Sequence, residues 1–291
     1  MSSYSVNLPT ELKRLQLRSR RLVTGDLLGQ YRSAFRGTGL LYSDLREYQP
    51  GDDVKHIHWK ATARAGKAFV KSYEEDRQLR VMLAVDVSSS MRAGIGTNAF
   101  SKALEFCSLI GALTQHGNDL LGLHLFSHKP GLLMPPTSGP KRFSRIISAL
   151  LQEPPHCATT DLDQALQHLF LSIRKTSIIF VVSDFMCPDF SASLGKLSSR
   201  HDVILVQVQP SEHAIPSVGI VTFQDAETGE VVAIDTSSRS VIAAWERALV
   251  DSREATRRIA QQQGAAHLVI QTQAATALIQ LMRERVKKVS R

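Results

Sequence analysis

From residue 79 onward the chain alternates between two hydrophobic rhythms. Near-continuous apolar runs occupy residues 81–87, 120–126, 178–182, 203–208 and 267–270. Runs of this length without polar alternation are strands buried on both faces. Between them apolar residues recur at helical spacing, as in Phe143, Ile146, Ile147, Leu150 and Leu151, and again in Leu162, Ala165, Leu166, Leu169 and Phe170. Strand and helix in alternation predict an α/β fold with a doubly wound, mainly parallel sheet covered on both faces. The rhythm breaks once, where residues 218–223 and 231–234 flank Glu227-Thr228-Gly229-Glu230 as hairpin strands would, so a β-hairpin is expected near 218–235. A long amphipathic helix around 241–263, a last strand and a terminal helix ending in the basic residues 283–291 complete a domain over 79–291.

Upstream the texture differs. Residues 8–34 read as helical and interrupted near Gly25, with Leu12, Leu15, Leu22, Leu27 and Leu28 scattered among Arg and Lys. Residues 1–34 are therefore set apart as a basic helical segment. Residues 35–78 carry Gly37, Gly39, Pro50, Gly51 and Gly66 between short extended pieces, the punctuation of a small β-rich or loop-rich module. Within it His56 and His58 stand two apart without a third ligand in view, which favours solvated or packed roles, and Trp59 reads as a core residue.

Charge and cysteine usage narrow the setting. Of a formal net charge of +8, residues 1–80 supply +6, from fifteen Lys/Arg against nine Asp/Glu, so an acidic partner suits that stretch. The cluster Arg18, Arg20 and Arg21 lacks interleaved aromatics and reads as a solvated helix face rather than a nucleic-acid reader. Cys107, Cys157 and Cys187 are too few and too irregularly spaced for a disulfide framework, which points to a reducing compartment. Cys157 and Cys187 nevertheless lie three residues from Thr160 and Asp184, where a bond between them would distort the loops described next. The N-terminal residues have no apolar core of the signal-peptide kind, and no uncharged apolar run approaches the ~18 residues that span a bilayer. A soluble, cytoplasmic protein is expected.

Ligands of open α/β sheets sit beyond the carboxyl ends of the strands. There the first run ends in Asp86-Val87-Ser88-Ser89-Ser90, one carboxylate followed by hydroxyls, and the run 178–182 ends in Ser183-Asp184. Thr159-Thr160-Asp161 opens the helix that begins at Leu162 and adds a further hydroxyl. An all-oxygen set suits Mg²⁺, Mn²⁺ or Ca²⁺, and no paired His and Cys ligands favour zinc. The bland reading of the same residues is helix capping by Asp86 and Ser88 and a strand end at Asp184.

Asp86-x-Ser88-x-Ser90 with Thr160 and Asp184 resembles the metal-ion-dependent adhesion site of von Willebrand factor A domains. The resemblance implies Ser88, Ser90 and Thr160 as direct or near-direct ligands, with Asp86 and Asp184 acting largely through bound water. It also implies an ion left electrophilic and open to a carboxylate from outside. Ala158-Thr159 stands where members of that family often have Gly-Gly.

A second resemblance covers the upstream module. Arg46-Glu47-Tyr48, Pro50-Gly51-Asp52 and Trp59-Lys60-Ala61-Thr62-Ala63-Arg64 are similar to the fingerprint of the family known as domain of unknown function 58, departing from it at Lys55 and His58. Pro50-Gly51 sets a tight turn that Asp52 or Asp53 can bond. Arg46, Glu47, Asp52, Lys60 and Arg64 form either an ion-pair network around that turn or a partner-binding surface. The resemblance implies a non-catalytic, Mg²⁺-dependent adaptor that works with a MoxR-type AAA+ ATPase on client proteins. A metal-dependent hydrolase is the rival, and the chain has no Gly-rich phosphate loop, G-x-S-x-G elbow or H-E-x-x-H to serve it. Nucleic-acid binding rests on the pI of 9.6 alone.

Overall fold

A computed structural model describes residues 8–36, 42–49, 57, 59–73, 78–92, 99–152, 160–209, 218–224 and 231–289. In chain order its elements are α1 (Leu8–Leu22), α2 (Gly25–Arg36), β1 (Tyr42–Glu47), α3 (Trp59–Ala65), β2 (Phe69–Tyr73), β3 (Arg80–Asp86), α4 (Ser89–Arg92), α5 (Ala99–Gly117), β4 (Leu120–Phe126) and β5 (Pro130–Thr137). There follow α6 (Arg142–Gln152), α7 (Leu162–Ser172), β6 (Ile178–Ser183), α8 (Ser191–Ser198), β7 (Asp202–Val208), β8 (Ile220–Gln224), β9 (Val231–Asp235), α9 (Arg239–Gln262), β10 (Ala266–Ile270) and α10 (Ala274–Val289).

The expected doubly wound sheet is present. Its order is β10-β7-β6-β3-β4-β5, parallel throughout except for β5, which runs antiparallel to β4 at the edge. The sequence rhythm did not disclose β5, because Pro130-Gly131-Leu132-Leu133-Met134-Pro135-Pro136 is rich in proline and half exposed, as only an edge strand can be. Alternate residues of the buried strands divide the core into two. Val81, Leu83, Val85, Phe180, Val182, Ile204 and Val206 face one helical layer. Met82, Ala84, Ile179, Val181, Val203 and Leu205 face the layer of α7 and α8, with Ala260 from the far end of α9.

Residues set apart by their basic composition contribute to the first of these layers. Leu15 of α1 and Leu27, Tyr31 and Ala34 of α2 are buried in the same cluster as the sheet. Phe35 lies edge-on to Phe180 of β6, with ring centroids 5.8 Å apart, and Gln16 donates to Ser144 of α6 at 2.7 Å. The arginines stay outward, and Arg18 pairs with Glu105 of α5. One amphipathic helix thus has a charged face in water and leucines in the core.

The upstream module is a two-stranded antiparallel sheet, β1 with β2, with α3 between them in sequence. The short extended pieces are as expected, but the helix α3 is not, and Trp59 at its start corrects the core assignment because it is 67% exposed. Pro50, Gly51, Asp52, Asp53, His56 and His58 lie outside the described residues. The expected hairpin is β8 paired with β9, from Ile220 opposite Asp235 to Gln224 opposite Val231, and it forms a sheet of its own.

Packing at the β4–β5 edge leaves no room for a side chain at Gly122. A Cβ there meets the Met134 carbonyl oxygen at 2.9 Å and Pro136 N at 3.0 Å, both backbone atoms. Gly122→Ala is expected to cost about 1–3 kcal/mol by overpacking, measured as a shift of the urea midpoint. An unchanged midpoint would show that β5 yields freely.

Candidate metal centre

The two central strands bring the candidate residues together. β3 and β6 are parallel neighbours with Val85 opposite Val182, which puts Asp86 and Ser183 side by side at their carboxyl ends. Asp86 is fully buried and accepts from three donors, the Thr160 hydroxyl lying near both of its oxygens. Ser88 N donates to its Oδ1 at 2.9 Å, Ser183 Oγ to its Oδ2 at 2.7 Å, and Thr160 Oγ1 to Oδ2 at 3.2 Å and Oδ1 at 3.5 Å. Ser88 Oγ lies 3.0 Å from Ser90 Oγ, and Ser90 bonds Asp184 in turn. All five residues picked out in the sequence, Asp86, Ser88, Ser90, Thr160 and Asp184, therefore belong to one hydrogen-bonded set.

Local structure explains each placement. Thr160 precedes α7, whose N-cap Asp161 accepts from Gln164 N at 2.9 Å while its own N–H donates to Ser127 O at the end of β4. The helix start is thereby pinned beside β3, leaving the Thr160 hydroxyl over Asp86. Thr159 and Cys157 lie outside the described residues. Asp184 accepts from Met186 N at 3.0 Å, and between them Phe185 adopts a left-handed φ of 58°. A bulky residue takes that conformation at a cost. The Phe185 N–H bond to Ser183 Oγ at 3.0 Å and its ring against Phe190 hold it there.

Electrostatics makes this cluster short of positive charge. Burial, followed by the nearby Asp184 carboxylate, pushes the Asp86 carboxyl up to about 6, against the hydrogen bonds that favour its ionised form. Burial also raises Asp184. Among the described residues neither carboxylate has a Lys, Arg or His ion-pair partner. Among the described residues no three His, Cys, Asp or Glu side chains gather here or anywhere else, and the oxygen donors beside the two carboxylates are the neutral hydroxyls of Ser88, Ser90, Thr160 and Ser183. Hydroxyls and carboxylates converging without a cation of their own suit a hard divalent ion, which would keep both carboxylates ionised.

Two residues that the sequence reading passed over complete the surroundings. Ser183 ties Asp86 to the Phe185 backbone, a role that only the pairing of β6 with β3 discloses. Gln207, fully buried in β7, donates to the Asp184 carbonyl at 3.3 Å and to Ser252 of α9 at 3.2 Å, and accepts from His267 at 3.0 Å. A glutamine inside the apolar run 203–208 marks such a position. The candidate surface of the upstream module is less fully placed. Glu47 pairs with Lys67 at 3.0 Å and Arg64 is exposed, Arg46 lies on β1 and Lys60 on α3, and Asp52 is outside the described residues.

Comparison with known proteins gives the following likenesses. Among solved structures, BatB from Bacteroides thetaiotaomicron is 19% identical, with a TM-score of 0.47 over 72% of this chain and 99% of that one. The VWA domain of SpRpn10 is 13% identical, with a TM-score of 0.41 over 72% of this chain and 95% of that one. Uncharacterized proteins of Mycobacterium tuberculosis and Mycobacterium bovis are 29% identical over 231 residues, 77% of this chain and 72% of theirs. The family profile described as protein of unknown function DUF58 matches residues 44–255, so the chain belongs to that family.

Proposed function

We propose that the protein is a non-catalytic adaptor that binds a protein partner through a divalent cation. The observation that carries this reading is the convergence of Ser88, Ser90 and Thr160 on two carboxylates that burial leaves uncompensated. Ser88, Ser90 and Thr160 would hold Mg²⁺ or Mn²⁺ directly, with Asp86 and Asp184 behind bound water. The bound ion supplies an electrophilic charge with room for an outside carboxylate. Asp86 is engaged by Ser88, Thr160 and Ser183, which leaves it orienting hydroxyls rather than accepting a proton from a substrate. The partner in this reading is a MoxR-type AAA+ ATPase or a client presenting an acidic side chain. The upstream module offers Glu47 and Arg64 as additional contacts.

Mn²⁺ titration of the purified chain is expected to show one site, weakened at least about a hundredfold in Ser88→Ala/Ser90→Ala. Asp184→Ala is expected to abolish Mg²⁺-dependent, EDTA-sensitive capture of the MoxR-type ATPase while removing no hydrolase activity. Unaltered Mn²⁺ affinity in the double variant would overturn the metal assignment. Metal-dependent turnover of a phosphoester, lost in Asp184→Ala, would instead make the protein an enzyme.

A further inference from the structure

A groove of about 200 Å³, open to solvent, runs between α1, α5 and the start of α10, away from the candidate metal centre. Its apolar floor and wall are Leu15, Leu22 and Leu109. Its polar groups are asymmetric. The first residues of α10, Ala274 and Ala275, face it, and the leading N–H groups of a helix have no intrahelical acceptor. Ser108 of α5 lines the same groove at 2% exposure, and its hydroxyl finds no hydrogen-bond partner. A buried hydroxyl without a partner calls for an explanation, and an acceptor atom of a ligand in the groove would supply one. Ser19, the other hydroxyl in the lining, is already committed to Gln16 O at 3.2 Å.

The charges at the rim select further. Arg18 reaches Glu105 through Nη1, which holds the guanidinium across the opening and leaves its remaining donors available. Glu105 repels a second negative charge, so the groove suits a monoanion rather than a phosphate dianion. Lys102, almost fully buried, donates to Gln209 O after β7 at 2.8 Å and to Gln271 O after β10 at 2.7 Å, fixing the segment that leads from β10 into α10. The helix start is thus preformed, with a cation behind it.

From the unpartnered Ser108 hydroxyl, the open start of α10 and the leucines beside them, we propose that this groove binds a small carboxylate with an aliphatic body. The carboxylate takes the α10 N–H groups, the Ser108 hydroxyl and Arg18. The hydrocarbon lies along Leu15, Leu22 and Leu109.

Calorimetric titration of the full chain with sodium octanoate tests this, with octanol and inorganic phosphate as comparison probes. Octanoate is expected to saturate one site, with both comparison probes at least about tenfold weaker. Ser108→Ala and Arg18→Gln are each expected to weaken octanoate about tenfold, while Ser88→Ala/Ser90→Ala leaves it unchanged. Ser108→Ala removes only an unbonded hydroxyl from a helix, so its circular dichroism melt is expected to match or exceed the wild type. Octanol binding as tightly as octanoate, binding that does not saturate, or affinity unmoved in the Ser108→Ala/Arg18→Gln double variant would each overturn the proposal.

Discussion

Without divalent cations and at neutral pH, Asp86→Asn is expected to be more stable than the wild type and to gain nothing from Mg²⁺. Asp86 is wholly buried beside Asp184, and burial first, then that neighbour, raises its carboxyl from 3.8 to about 6. A folded-state value above the unfolded one means that the folded protein holds the proton more tightly. The stabilisation is full below about 3.8 and is lost as pH rises through about 6. At neutral pH the buried charge therefore costs up to about 3 kcal/mol relative to the protonated form. Asparagine removes the charge and keeps an acceptor for Ser88 N, while the Ser183 and Thr160 hydroxyls can turn to accept from its amide. Mg²⁺ at about a hundred times its Kd adds about 2.7 kcal/mol to the wild type alone. Urea melts between pH 4 and 7, with EDTA and with Mg²⁺, measure both effects. The gap between variant and wild type in EDTA should narrow toward acid. A variant less stable than the wild type in EDTA at neutral pH would show that the carboxylate is not a cost in the metal-free fold.

The second large effect is expected in the core, where Phe180→Ala should cost about 3–5 kcal/mol. Phe180 has no exposed surface and sits on β6 between two aromatic edges, with Phe106 of α5 at 5.5 Å and Phe35 of α2 at 5.8 Å. Removing its ring opens a cavity under both helices at once. A double-mutant cycle of Phe180→Ala with Phe35→Ala is expected to give a coupling of about 0.5–1.5 kcal/mol in a single urea transition. Additive losses, with α1 and α2 melting in an earlier step, would mean that the N-terminal helices are an appendage rather than part of the sheet's cooperative unit.

Much of this architecture was legible from local pattern. The apolar runs at 81–87, 178–182 and 203–208 are strands because a strand buried on both faces has no polar side to advertise, and the helices between them carry one apolar stripe each. Asp86, Ser88, Ser90 and Asp184 could be chosen because strand ends of an open α/β sheet converge on one edge, and the strand ends are set by where the apolar runs stop.

Tertiary structure decided what depends on which elements become neighbours. Only the placement of β6 directly beside β3 makes Ser183 a donor to Asp86, and only β7's position among β6, β10 and α9 gives Gln207 its partners Asp184, His267 and Ser252. The same holds for α1 and α2, where the solvated face of Arg18, Arg20 and Arg21 was legible but the burial of Leu15, Leu27 and Tyr31 against the sheet was not. The edge strand β5 is stable through its pairing with β4 rather than through its own residues, and the exposed Trp59 shows that an aromatic ring goes inside only where a layer is there to cover it. Periodicity along a chain is set by each residue's own backbone geometry, whereas adjacency across the sheet is a property of the whole packing, and no single segment encodes it.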